Sequence, residues 1–377
     1  MNSDSALETL RHALVDTATL HLNNAGVAPL STVAAEAINA AVVTLGRGTL
    51  DIGETIVRVE AARASIARLV GAEARDVAFF QTCALALTQA AFGIGLRAGD
   101  EIVLLDQEYP SNAYPWHRAA EAAGAKVHVV ASRPDFTVDA SALQAAIGPR
   151  TRVVACSWVQ FQTGTTLDLR ALADTVHRHG GLLVVDAIQG LGALPFDLHE
   201  MGADLVCGGG HKWLLGPLGV GFLAARPGLV AHMEPRAYGA MSYGTPDDPT
   251  EPARALRDTA KRFEPGAPPA LAAPGLGAAV SMLLSIGLER IERENRMLSD
   301  RLTEGLAHRD LVVLPRADRG AIVTFLPRRE PTALVAALRT HGVSVALRAG
   351  GVRVAPHIHN GPQHIDRFLN LLDELDR

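Results

Sequence analysis

The sequence predicts an α/β protein, with a large domain on a mostly parallel seven-stranded sheet and a smaller α+β domain after it. Three observations predict this. Seven short runs rich in Val, Ile, Leu and Phe recur in the first 225 residues with little alternation, as strands buried on both faces require. Segments with helical spacing lie between them, the βαβ rhythm of a doubly wound sheet. After about residue 250 the rhythm changes to short strands mixed with longer helices.

The seven runs are Asp76–Phe80, Glu101–Asp106, Lys126–Val130, Arg152–Trp158, Gly181–Ala187, Ala203–Cys207 and Gly219–Ala225. Asn112–Ala123 and Asp168–His179 have helical spacing, and Asp139 and Asp168 stand where N-caps belong. Asp247-Asp248-Pro249 and Glu251-Pro252 read as a connection. Beyond it the pattern predicts one long helix from Pro274 to about His308. Strands follow at Leu311–Leu314, Ala321–Leu326, Ser344–Arg348 and Val352–Ala355, with helices at Pro331–His341 and Pro362–Asp376. The expected organisation is an N-terminal segment (1–20) packing with the small domain, a large domain (21–249) and a small domain (250–377).

Composition narrows the function. Net charge is −5 with both signs spread along the chain, so no basic patch marks a nucleic-acid surface. Three cysteines (Cys83, Cys156, Cys207) sit in apolar stretches, which argues against a disulfide framework and for a reducing compartment. The N-terminus has no signal-peptide pattern. The longest uncharged stretch, Ala267–Leu288, is broken by Pro268, Pro269 and Pro274, so a membrane span is not expected. The expectation is a cytoplasmic protein without nucleic-acid or membrane partners. There are three lysines (Lys126, Lys212, Lys261) against 32 arginines, so chemistry that needs an amine has three candidates.

In doubly wound sheets ligands bind beyond the carboxyl ends of the strands. Asp186 and Gln189 follow the run Gly181–Ala187. A carboxylate there needs a cationic partner or serves as a loop cap. Gly208-Gly209-Gly210-His211-Lys212 follows Ala203–Cys207. The glycines allow close backbone approach to a ligand, yet their spacing does not fit a P-loop. His357-x-His359 and His177-x-His179 lack a third metal ligand at useful spacing, so no metal is expected.

Asp186-x-x-Gln189 followed by Gly210-His211-Lys212 resembles the class V aminotransferase and cysteine desulfurase-like family of pyridoxal phosphate (PLP) enzymes, fold type I. The resemblance runs along nearly the whole chain. Leu22-Asn23-Asn24-Ala25-Gly26 looks like the family's entry segment, and Glu108-Tyr109-Pro110-Ser111-Asn112 like its ring-stacking segment. Trp158-Val159-Gln160-Phe161-Gln162-Thr163-Gly164 resembles an active-site loop. Arg262-Phe263-Glu264-Pro265-Gly266 and Arg353-Val354-Ala355-Pro356-His357 resemble later motifs.

The resemblance implies a role for each residue. Lys212 would carry the cofactor's aldehyde carbon and act as acid and base. Asp186 would hold the pyridine nitrogen protonated. Gln189 would hydrogen-bond the ring hydroxyl, with Gln160 in reach, and Tyr109 would stack on the ring. Thr82, Cys83 and Ala84 would hold the phosphate at a helix N-terminus, with His211 beside them. Arg353 would clamp a substrate carboxylate, near Asn24 and Ala25. Arg348 reads as structural. The resemblance also implies a homodimer.

The sequence departs from the family in several places. Cysteine desulfurases carry a catalytic cysteine on a loop shortly before the carboxylate-binding arginine. Here that stretch is Arg348-Ala349-Gly350-Gly351-Val352-Arg353, with no cysteine. Gly209 and Ala267 stand where relatives often have phosphate-binding hydroxyls. These departures favour an enzyme that removes an amino acid's Cα proton, with carbon–sulfur β-elimination first and epimerisation or transamination as alternatives. A cysteine desulfurase and a non-catalytic binding protein are less favoured.

Overall fold

The structure, a computed structural model, describes residues 19–47, 52–244, 255–315 and 320–377. A two-residue strand, β1 (Leu20–His21), precedes the runs read from the sequence. All seven runs join one sheet: β2 (Val77–Phe80), β3 (Glu101–Leu105), β4 (Lys126–Val130), β5 (Thr151–Ser157), β6 (Leu182–Asp186), β7 (Leu205–Gly209) and β8 (Gly221–Ala225). Their spatial order is β2-β8-β7-β6-β5-β3-β4. Only β8 runs against the rest, pairing antiparallel with β7 and β2. The central strands are buried apart from half-buried Arg152 of β5, whereas edge strand β4 exposes Lys126 and His128, as an edge should. Register aligns the strand ends that matter. Ser157 of β5 pairs with Asp186 of β6, which pairs with Cys207 of β7.

Helices pack on both faces. Asp168 caps Leu169–Arg178 by accepting from the Ala171 N–H, and Asp139 caps Ala140–Ala145 by accepting from Ser141 and Ala142, as the sequence predicts. Helices Thr32–Gly46 and Ile52–Val70 lie outside the sequence reading. Both pack on Ala272–Ile286 through small residues: a Cβ on Gly277 would lie 2.6 Å from the Ala62 Cα, and one on Gly275 2.7 Å from Ile38 Cγ1. Such alanine-rich helices show weak apolar periodicity, which is why the pattern missed them.

The second sheet has four antiparallel strands in the order β12-β13-β10-β9, from β9 (Val312–Leu314), β10 (Val323–Leu326), β12 (Ala346–Arg348) and β13 (Gly351–Val354). β1 pairs in parallel with β11 (Val343–Ser344). Helices Pro331–Thr340 and Pro362–Leu375 belong to this unit. Residues 1–18 and the expected boundary at 249/250 lie outside the described residues.

Two expectations are corrected. The single helix Pro274–His308 is two helices, Ala272–Ile286 and Leu288–Ala307, bent by 82°. Gly287 sits between them at φ +91°, a conformation that ends a helix and that glycine adopts freely. The strand Ser344–Arg348 is split at Val345 into β11 and β12, which serve different sheets. Among the described residues no single helix is long and apolar enough to cross a membrane.

Candidate active site

Asp186 ends β6 in the middle of the large sheet and is 3% exposed. Burial pushes its carboxyl above the usual range, opposed by the Ile188 N–H, Lys212 and the Cys83 thiol. The Ile188 N–H (3.0 Å) and the Cys83 thiol (3.7 Å) both donate to Oδ1. Oδ2 has no hydrogen-bond partner among the described residues. A buried carboxylate with a spare oxygen is suited to a cationic donor.

Lys212 follows β7 and faces the same cleft. Burial is the main cause that lowers its amine to about 8, reinforced by Arg353 and Arg348 and opposed by Asp186 and Cys83. Its Nζ lies 5.7 Å from the centre of the Tyr109 ring. A hydrogen-bonded chain fixes the turn that carries it. His357 Nε2 donates to the Trp213 carbonyl at 2.9 Å, and Trp213 Nε1 donates to Gln189 Oε1 at 3.0 Å. Gln189 Nε2 donates to the Ala25 carbonyl at 3.0 Å. Gln189 thus braces Lys212's neighbour against the entry segment, with both ends of its amide engaged.

Thr82 caps the helix Cys83–Gly93, its hydroxyl accepting from the Leu85 N–H at 3.2 Å. The Cys83 and Ala84 N–H groups of this first turn have no intrahelical acceptor, so they and the helix dipole can hold an anion. Gly221 makes room for the turn, since a Cβ there would lie 2.4 Å from the Thr82 carbonyl carbon and 2.5 Å from the Cys83 nitrogen. A Cβ on Gly209 would lie 3.6 Å from Cys83 Cβ and 3.7 Å from His211 Nδ1, so these residues surround one small space. Burial, then the Lys212 charge, lowers His211 to about 4, leaving a neutral imidazole beside this turn.

Glu108 is the residue sequence reasoning missed. It is buried and accepts from the Ser157 N–H (2.8 and 3.0 Å), Ser157 Oγ (2.6 Å), Asn112 Nδ2 (2.8 Å) and Gln160 Nε2 (3.2 Å). With Gln160 Nε2 also held by the Ser157 carbonyl, its buried Oε1 is left without a partner. Gln160 is thereby fixed as an acceptor. Tyr109, 42% exposed, precedes the helix Pro110–Ala123 and meets Phe161 edge-on at 5.1 Å.

Arg353 on β13 is 1% exposed. Its Nη1 donates to the Phe161 carbonyl at 2.7 Å and its Nη2 to Asn23 Oδ1 at 3.1 Å, while Nε has no partner. Burial, then Arg348, lowers it to about 9, still a cation at neutral pH. From the entry segment Asn23, not Asn24, makes this contact. Asn24 Nδ2 donates to the Ala355 carbonyl at 2.8 Å, and its Oδ1 is buried without a partner. Asn23 and Asn24 carry identical side chains; the backbone bridge between Asn23 and Ala355 sets which of them meets Arg353.

One cleft therefore brings together a buried amine, a buried carboxylate, an orphaned amide acceptor, an anion turn and a buried guanidinium. This donor set fits pyridoxal phosphate: Asp186 for the ring nitrogen, Lys212 for the aldehyde carbon, and the Thr82–Ala84 turn for the phosphate. All three cysteines are buried, with thiols pushed well above their ordinary value chiefly by burial. Among the described residues no three metal-ligating side chains cluster.

A probable cysteine desulfurase of Halalkalibacterium halodurans is 30% identical over 307 residues, covering 80% of this chain and 72% of that protein. An apo cysteine desulfurase from Thermococcus onnurineus NA1 superposes with a TM-score of 0.90 at 25% identity, covering 98% of each chain. A C-DES variant with glycine covalently linked to its PLP cofactor shares the fold, with a TM-score of 0.89 at 24% identity over 97% of this chain and 99% of that one. The model of the class V aminotransferases matches residues 32–364. The chain belongs to the class V aminotransferase family, whose enzymes work with pyridoxal phosphate.

Proposed function

We propose that this enzyme removes the Cα proton of an amino acid with Lys212 as the base, and that the reaction is carbon–sulfur β-elimination. The observation that carries this reading is the hairpin between β12 and β13. Its turn is only Ala349-Gly350, both at positive φ (48° and 69°), and it bears no cysteine before Arg353. The relatives' names favour desulfuration, which needs a thiolate to take up sulfur. Here the three thiols are buried and held protonated, and Cys83 donates to Asp186. Elimination leaves sulfur on the product and needs no acceptor cysteine.

Pyridoxal phosphate, when bound, supplies the electron sink that lets the proton leave. The chain's own residues supply the rest. Asp186, buried at the end of the central strand β6, would hold the cofactor's ring nitrogen protonated, and that charge would offset its burial. Gln160 Oε1, buried without a partner, would accept from the cofactor's ring hydroxyl. Arg353 fixes the substrate carboxylate, so that Cα faces Lys212. An amine lowered to about 8 is partly unprotonated at neutral pH, as a base must be. Tyr109 covers the cleft and restricts water near Lys212.

Epimerisation and transamination share the first proton transfer, so product analysis separates them. Holoenzyme is incubated with L-cystine or L-cysteine without a keto acid. Pyruvate and ammonia with a sulfur-bearing product support elimination. Loss of optical activity alone, or turnover only with a keto acid, replaces it, and persulfide on Cys83, Cys156 or Cys207 restores desulfuration. A homodimer is part of the proposal, supported by exposed Val42, Val43, Ile56 and Val57 on neighbouring helices.

A further inference from the structure

Arg348, read from the sequence as structural, is placed by the hairpin as a second cation at the site. β12 and β13 pair antiparallel with Ala346 opposite Arg353 and Arg348 opposite Gly351. Alternate residues of a strand share a face, so Arg348 and Arg353 leave the sheet on the same side, one step apart. The two-residue turn between the strands keeps them there.

Neither guanidinium has a carboxylate partner among the described residues. Arg63 is paired with Glu264 at 2.6 Å and Arg309 with Asp373 at 2.6 Å, whereas buried Arg262, away from the site, has only the Val230 carbonyl among the described residues, so it is the closeness of two unpaired guanidiniums that sets Arg348 and Arg353 apart. Arg348 has one hydrogen bond, Nη1 to the carbonyl of its neighbour Leu347 at 2.7 Å, and its buried Nε has none. The field of Arg348 reaches both Lys212 and Arg353, where it opposes their charge. Holding like charges together in a partly buried place destabilises the free protein unless an anion joins them.

A charge balance sets what that anion is. Asp186 offsets a protonated ring nitrogen, the cofactor's phosphate has its own turn at Thr82–Ala84, and one substrate carboxylate satisfies Arg353. Arg348 then remains uncompensated beside the substrate. We infer that Arg348 selects amino acids whose side chain carries a second anionic group, a carboxylate or sulfonate, with Arg353 holding the α-carboxylate. This inference rests on the proposed action on amino acids.

The test is titration of holoenzyme with matched pairs, L-aspartate against L-asparagine and L-glutamate against L-glutamine, with L-cysteate added, followed by the visible absorbance of the bound cofactor. The acidic member should bind about tenfold or more tightly than its amide, the scale of a partly desolvated ion pair. Arg348→Met should remove that preference while leaving the amides' binding unchanged, and Arg353→Met should weaken both members alike. Rising salt should erode the preference in the native enzyme only. Equal binding of acid and amide by the native enzyme overturns the inference, as does equal weakening of both by Arg348→Met. If neutral amino acids alone change the absorbance, the amino-acid reading stands and this selectivity falls. If no amino acid changes it, both fall.

Discussion

Glu108→Gln is the most informative perturbation of the site, because it removes a charge while conserving shape. Three donors converge on Oε2: Ser157 Oγ at 2.6 Å, Asn112 Nδ2 at 2.8 Å and the Ser157 N–H at 3.0 Å. The new amide oxygen therefore takes that place, and its NH2 faces Gln160 Nε2, 3.2 Å from the original Oε1. The new NH2 then opposes two donors, Gln160 Nε2 and the Ser157 N–H that reached Oε1 at 2.8 Å. A half-turn of the Gln160 amide relieves the first of these contacts and points NH2, not oxygen, at the ligand, while setting its oxygen against the Ser157 carbonyl that Nε2 now bonds. Loss of charge assistance weakens each retained bond by roughly 1 kcal/mol. Relief of the burial cost that already raises Glu108 offsets part of the sum, so the expected destabilisation is about 1–3 kcal/mol. Glu108→Ala leaves buried donors without acceptors, each costing about 1–3 kcal/mol, and should be clearly worse. Urea unfolding measures the energies, and the visible band of bound cofactor reports the reversed amide. A Glu108→Gln protein with native stability and an unshifted band would refute the reasoning, as would equal stability of the two variants.

The remaining predictions concern titration and space. His357, held neutral by burial with its pKa lowered to about 4, must gain a proton on unfolding below its ordinary 6.5. The unfolded chain binds that proton first, so stability falls as pH drops from 6.5 towards 4, by about 3 kcal/mol. His359 adds to the fall in the same direction. Denaturation midpoints at pH 7 and pH 5 should show it, and His357→Gln should flatten the slope; a native midpoint constant over this range contradicts it. In apoprotein, acylation of Lys212 followed by peptide mapping should show half-maximal rate near pH 8; a midpoint above 10 would mean a solvated amine. Gly209→Ser should fold normally, since its φ is not left-handed and the nearest atom to a Cβ is the mobile Ile188 Cδ1 at 3.2 Å. Its hydroxyl should slow loss of cofactor on dialysis, and faster loss would show that no phosphate sits there. Gly221→Ala should do the reverse, because its Cβ strikes rigid backbone at Thr82–Cys83. We expect more than about 2 kcal/mol lost in unfolding and weaker cofactor retention; native retention would detach the turn from the phosphate.

The large sheet was legible because strands buried on both faces must be mostly apolar, as six of the seven runs are; the exception, β4 with Lys126 and His128, is an exposed edge. Lys212 was legible for a different reason: lysine is so scarce here that one at a strand end stands out. What stayed hidden depends on pairings between distant residues. Glu108 looks like any loop carboxylate until Ser157 and Gln160 arrive from β5. Asn23 and Asn24 are chemically identical, and only the bridge that Asn23 makes with distant Ala355 distinguishes them. The break at Gly287 was in plain view, yet helical spacing on both sides concealed it, since a 3.6-residue repeat does not register a change of axis.

The strap from β1 to Ser31 carries a consequence for how the protein is made. Asn24 bonds to Ala355, a partner 331 residues along the chain, while Ala28 and Ser31 donate to the backbone of His211 and Leu215. The Asn24 end of this strap thus waits for a segment made 331 residues later before it is secured. The large sheet can form before that segment exists, so a nascent chain, or one cut short ahead of Ala355, holds an assembled scaffold and an unfinished centre.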